Sequence, residues 1–227
     1  ATNEIKHAWM DEGFTSYIDD VALNVALDLN KVVPNEGAYD DYVRWAATGL
    51  EEPLTTHADR FKYNQGYGVS AYDKGSVFLS QLGYIIGDEN LSKTLKLYFK
   101  EWAFKHPRPY DFIRCAEKVS GLELDWYLMD WAQTTKQIDY QVNSVLGEGS
   151  STKVVLKREK QMPMPIDVEI YLKDGSSQKY NIPLTMMRGN KPLKNAVLLD
   201  SWSWAQPYYT FSVDIAKEDI LSVVIDP

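Results

Sequence analysis

The period of the hydrophobic pattern changes once along this chain, near residue 137, and that change limits the fold more than any other feature. Up to that point apolar residues recur at steps of three and four, the spacing that lines one face of a helix. Phe14, Tyr17, Ile18, Val21, Val25 and Leu29 make one stripe. Tyr39, Tyr42, Val43 and Ala46 make a second, after Pro34 and Gly37. A polar loop is expected from Gly49 to about Gly68, and Ser70 with Asp73 then has the form of a capping-box variant that opens a helix. The core face of that helix would be Phe78, Leu79, Leu82, Ile85 and Ile86, with its stop at Gly87. Three further helices are marked by Leu91 to Trp102, by Phe112 to Val119 after Pro107 and Pro109, and by Leu124 to Trp131.

From Ile138 onward the pattern alternates. Val154 and Leu156, Val168 to Leu172, Tyr180 to Leu184, Tyr209 to Val213 and Leu221 to Ile225 are strand-like, and Asp174-Gly175 is a hairpin signal. About seven short strands in such a stretch have the profile of a β-sandwich. The sequence therefore predicts an α+β chain of two units. An all-α helical half covers residues 1–137, and an Ig-like β-sandwich covers 138–227. Trp202 and Trp204, two apart, are expected to share one face of the sandwich core.

Charge and cysteine usage narrow the function classes. Lys and Arg total 24 against 32 Asp and Glu, a formal charge of -8, which repels a phosphate backbone and argues against nucleic acid or anionic membrane partners. Cys115 is the single cysteine, so neither an internal disulfide nor a thiolate metal cluster can form; it reads as a small buried hydrophobe. No apolar run is long enough for a membrane span. The compartment stays open between cytoplasmic and exported. The start, Ala1-Thr2-Asn3-Glu4, shows neither an initiator Met nor a signal-peptide core and reads as a chain that has been cut. There is no G-x-S-x-G elbow, no P-loop and no G-x-G-x-x-G.

Two stretches carry candidate chemistry. The first is Trp9-Met10-Asp11-Glu12-Gly13-Phe14 and the second is Tyr67-Gly68-Val69-Ser70-Ala71-Tyr72-Asp73-Lys74-Gly75. Taken singly, Glu12 is explained by the preference of carboxylates for a helix start, and the tyrosines by packing. Taken together and in this order, they resemble the gluzincin aminopeptidases, the aminopeptidase N and leukotriene hydrolase family. That family reads W-x-(N or D)-E-G-F and, some sixty residues later, Y-x-K-G. The resemblance implies a zinc metallo-aminopeptidase acting on the N-terminal residue of a peptide substrate. It implies Glu12 as the third zinc ligand, Tyr72 as hydrogen-bond donor to the transition-state oxyanion, and Tyr67 as a second active-site tyrosine. Asp11 stands where Asn is commoner. The order of domains in the family also implies that residues 1–137 are the second half of a thermolysin-like catalytic domain, with the sandwich following.

The family's two zinc histidines and its general-base glutamate lie in an H-E-x-x-H motif whose spacing would put it ahead of residue 1, because only eleven residues precede Glu12. The expectation is a fragment that holds no zinc and is inactive alone, although the intact enzyme uses zinc. Catalytic zinc takes three protein ligands, and His7, His57 and His106 are widely separated. His7 and Glu12 do not share a helix face, whereas His7 and Asp11 could, but two ligands without a third make a weak site. The alternative class is a non-catalytic helical and β-sandwich interaction module, or a degenerate relative of the peptidases.

Overall fold

The computed structural model describes residues 2–227. The chain divides into two compact units, one running to Thr135 and the other from Lys136 to Pro227. The first is helical: α1 (Ala8–Ala26), α2 (Glu36–Ala47), α3 (Asn64–Gly68), α4 (Gly75–Ile86), α5 (Asp88–Trp102), α6 (Pro109–Ser120) and α7 (Asp125–Ala132). A π-helical turn, Val69–Lys74, joins α3 to α4 without a break. Local chemistry accounts for the ends. Gly87 at φ +89 stops α4, where an L side chain would be strained. Pro109 opens α6, the Asp111 carboxylate accepts from the Arg108 amide at 2.8 Å, and Gly121 ends the helix in the left-handed region.

The core of this unit is aromatic. The Trp9 ring meets Phe78 at 5.0 Å, Phe14 meets Phe112 at 4.7 Å, and Phe78 stacks on Tyr127 at 4.9 Å. The buried Tyr127 hydroxyl donates to the Phe78 carbonyl at 2.8 Å, so its polar end costs nothing inside the core. Phe78, Leu79, Leu82, Ile85 and Ile86 are all fully buried, as the spacing predicts. Together these contacts hold α1 against α4 and α6, and α4 against α7.

Several local expectations need correction. Ser70 does not cap a helix: the helix has begun at Asn64, after the extended Tyr63, and Ser70 lies inside the π turn with its hydroxyl buried and unpartnered. The supposed polar loop before Gly68 thus contains a 3-10 turn at Ala58–Arg60 and the start of α3. Only the N-terminal part of the α1 stripe is covered. Ile18 is exposed, Val25 is 73% exposed, and Leu29 lies beyond the helix end, where Asp28 and Asn30 take positive φ. On α2 the buried face is Ala38, Tyr42 and Trp45, which leaves Val43 outside. A period defines a face, but a neighbouring element decides whether that face is covered.

The second unit is a β-sandwich of seven strands among the described residues: β1 (Tyr140–Glu148), β2 (Ser151–Arg158), β3 (Ile166–Leu172), β4 (Ser177–Ile182), β5 (Ala196–Leu198), β6 (Tyr208–Val213) and β7 (Ile220–Ile225). One sheet has the order β1-β2-β6 and the other β5-β4-β3-β7. All neighbours are antiparallel except β4 and β5. Val154, Leu156, Val168, Ile170 and Phe211 point inward, and Tyr180 of one sheet meets Phe211 of the other at 5.5 Å. Pro163 and Pro165 precede β3, where a missing amide breaks no ladder bond. Trp202 is core, packed on Tyr140 and Tyr209, but Trp204 is 61% exposed and does not share its face. The pair lies outside the strands apart from one isolated bridge at Trp202, so the period-two rule does not govern it.

Candidate active site

Glu12 lies on the second turn of α1, half-buried. Tyr72 lies on the π turn, and Tyr67 on α3, one turn earlier along the same continuous helix. The two elements meet through glycine. A Cβ placed on Gly13 would fall 2.5 Å from the Gly75 Cα, and one on Gly75 would fall 2.9 Å from the Gly13 Cα. No side chain fits between the backbones there, and this near contact brings the residue before Gly13 within reach of the turn before Gly75. The glycines in the E-G-F and K-G pairs are therefore explained by helix packing.

That approach sets Tyr72 beside the Glu12 carboxylate. Interaction with that carboxylate, then burial and the negative charge of Asp11, push the phenol up to about 12, so at neutral pH it is a neutral donor. Tyr67 is raised as well, first by burial and then by the charges of Glu12, Asp11 and Glu4. Glu12 thus shares one acidic locality with Tyr67 and Tyr72, some sixty residues further along the chain, and Asp11 lies beside them.

The histidines stand apart from it. His57 caps the 3-10 turn, its Nδ1 accepting from the Asp59 amide, and His106 is exposed. His7 precedes α1 with Nδ1 buried and unpartnered. Burial, then the cations of Lys6 and Arg108, depress its pKa. A zinc ion needs three donors converging on one point. Among the described residues the one such group of His, Cys, Asp or Glu is Glu117, Glu123 and Asp125, all carboxylates and remote in sequence from Glu12. Around Glu12 no three such donors converge among the described residues, which do not by themselves fit a zinc ion. Cys115 is buried, its thiol raised to about 11 by burial and by Glu101.

Sequence reasoning missed Lys74. Its ammonium is enclosed in the first unit, 2.5 Å from Glu51 Oε1, with the adjacent Tyr42 and Trp131 rings centred 5.4 and 5.7 Å away. Burial lowers the pKa of this lysine while Glu51 opposes the fall. The only signal in the sequence was the lysine of the Y-x-K-G pattern, whose burial no local rule reveals.

The family model described as "Peptidase family M1 domain" matches residues 2–131, more than half of the chain. This chain belongs to peptidase family M1. Among curated M1-type relatives it is 25% identical over 185 residues to "Probable aminopeptidase 2" of Sulfurisphaera tokodaii, which covers 78% of this chain and 22% of that protein. It is also 25% identical over 132 residues to "Aminopeptidase N" of Streptomyces lividans, covering 56% of this chain and 15% of the relative. A crystal structure of Legionella pneumophila aminopeptidase A in complex with aspartic acid shares the fold, with a TM-score of 0.58 at 14% identity over 99% of this chain and 23% of that one. This M1 chain therefore spans less than a quarter of the length of the relatives it matches. Among the described residues no helix is long and apolar enough to cross a membrane.

Proposed function

We propose that this chain is one part of a zinc-dependent aminopeptidase that releases N-terminal residues from peptides. Residues 1–137 would be its share of the catalytic domain, and residues 138–227 the sandwich that follows. Glu12 would be one ligand of the metal, with the remaining donors supplied by polypeptide outside this chain. Tyr72 would donate to the oxyanion, with Tyr67 beside it. The observation that carries the reading is the backbone approach of Gly13 to Gly75, which sets Tyr72 beside Glu12. It sets a neutral phenol next to a carboxylate, as a ligand and an oxyanion donor serving one substrate carbonyl would need.

When water adds to a peptide carbonyl, negative charge develops on its oxygen. A donor aimed at that oxygen gains strength as the charge grows, so it stabilises the transition state more than the bound substrate. The raised pKa of Tyr72 keeps its proton in place across the neutral range, so the donor is available at working pH. Glu12 contributes a fixed negative charge.

The isolated chain is expected to bind no stoichiometric zinc and to leave an aminoacyl-p-nitroanilide uncleaved. Dialysis against zinc followed by metal analysis tests the first point, and release of nitroaniline the second. Tight equimolar zinc would overturn the proposal that the other donors come from outside the chain. In an intact parent enzyme, Tyr72→Phe is expected to lower kcat by roughly a hundred- to a thousandfold with metal content unchanged. Glu12→Gln is expected to lower metal content as well as turnover.

A further inference from the structure

Tyr72 and Lys74 lie two apart on the π turn Val69–Lys74, and two residues apart in a helix point to nearly opposite sides. Tyr72 is on the outer side with Glu12; Lys74 is on the inner side, its side chain 2% exposed. There the ammonium donates to Glu51 Oε1 at 2.5 Å and to the Thr134 carbonyl at 3.4 Å. The Glu51 side chain is 4% exposed and its Oε2 is buried without a hydrogen-bond partner, so this carboxylate is committed to the lysine alone. Glu51 precedes α3 and Thr134 follows α7, so the lysine ties the turn to two segments that converge independently, since the Thr55 amide also donates to the Ala132 carbonyl at 3.0 Å.

A π turn is an α-helix carrying one extra residue, rare and poorly bonded compared with the α register it interrupts. Relaxation to the α register would turn the residues on one side of it by about 100° relative to the other, the angle of one α-helical step. Tyr72, inside the turn, would then leave Glu12. Something must hold the extra residue in place. Fully buried charges are directional restraints because their hydrogen-bond geometry has to be kept.

We propose that Lys74 and Glu51 are positioning residues for Tyr72, their buried ion pair holding the π register that sets Tyr72 beside Glu12. The inference rests on the reading of Glu12 and Tyr72 as partners in one site. It is tested on the chain as it stands by placing 3-fluorotyrosine at position 72 and recording the fluorine resonance, which reports the phenol's surroundings. Glu12→Leu supplies the resonance of the phenol without its carboxylate neighbour. The double variant Lys74→Met, Glu51→Leu replaces the pair by apolar groups of similar size beside Tyr42 and Trp131, and is expected to melt near the unsubstituted chain. Its fluorine resonance is nevertheless expected at, or broadened toward, the Glu12→Leu position. Glu51→Gln, nearly isosteric, is expected to move the resonance part of the way. A folded double variant or a Glu51→Gln variant with the resonance unmoved overturns the positioning role and leaves the site reading intact. A resonance that ignores Glu12→Leu removes the contact itself, and both readings fall with it.

Discussion

Gly13→Ala sets two physical effects against each other, and the structure says which should prevail. Within a helix alanine is favoured over glycine by about 1 kcal/mol, so propensity alone predicts a more stable protein. The added Cβ would meet the Gly75 Cα at 2.5 Å, the Gly75 carbonyl carbon at 2.6 Å and the Ala71 carbonyl oxygen at 2.8 Å. All three are backbone atoms, so no rotamer change gives relief, and α1 must draw back by about 1 Å to regain ordinary carbon contacts. Overpacking of this kind costs about 1–3 kcal/mol, and the upper end applies where backbone has to move. After the propensity gain, a net loss of about 2 kcal/mol remains. Each kcal/mol shifts Tm by roughly 2–8 °C in domains of this range of sizes. Calorimetry should therefore place the helical unit's transition several degrees lower. Gly37→Ala is the control: this glycine lies in the first turn of α2 with nothing within 4 Å of a built Cβ, and its substitution should leave Tm unchanged or raise it. If Gly13→Ala instead raised Tm as Gly37→Ala does, close approach would not be the reason for the glycine, and the geometry joining Glu12 to the π turn would be wrong.

Three further outcomes follow from individual side chains. Burial, then the charges of Asp41 and Asp20, push Asp73 up to about 6 from 3.8. The folded state thus holds this proton more tightly than the unfolded chain, and stability falls as pH rises from about 4 to about 6. Asp73→Asn should leave stability nearly unchanged at pH 4 and raise it at pH 7 by about 1 kcal/mol once solvent screening of a half-buried group is allowed for; an equal effect on Tm at both pH values would contradict the assignment. Trp202→Ala, which empties a site between Tyr140 and Tyr209 and removes the Nε1 donor to the Gln206 carbonyl, should destabilise the sandwich by about 3–5 kcal/mol. Trp204→Ala should change it by less than about 0.5 kcal/mol, and similar losses for the two in urea titrations would place Trp204 in the core after all.

What could be read without coordinates followed from local order. The apolar spacing of Phe78 to Ile86 identifies the buried face of α4, because side chains three and four apart must share a side of the helix. Gly87, Pro109 and Gly121 mark helix ends through backbone constraints that travel with the residue. The alternation after Ile138 gives strands for the same kind of reason. The motif around Glu12 and the one around Tyr72 were each visible, and their order carried the family resemblance.

The sequence by itself thus determined the two classes of secondary structure, most of their core faces and the residue types available for chemistry, since each of these depends on neighbours within a turn or two. Only the tertiary structure decided the rest. It left the far end of α1 uncovered, put Trp204 outside and Trp202 inside, and ran the helix through Ser70 as a π turn. It brought Gly13 against Gly75 and closed Lys74 over Glu51 beside Tyr42 and Trp131. Each of these depends on which distant segment arrives at a given face, and desolvation and close contact are properties of that arrival. A lysine in a helical pattern reads as solvated until a carboxylate and two aromatic rings from other segments enclose it.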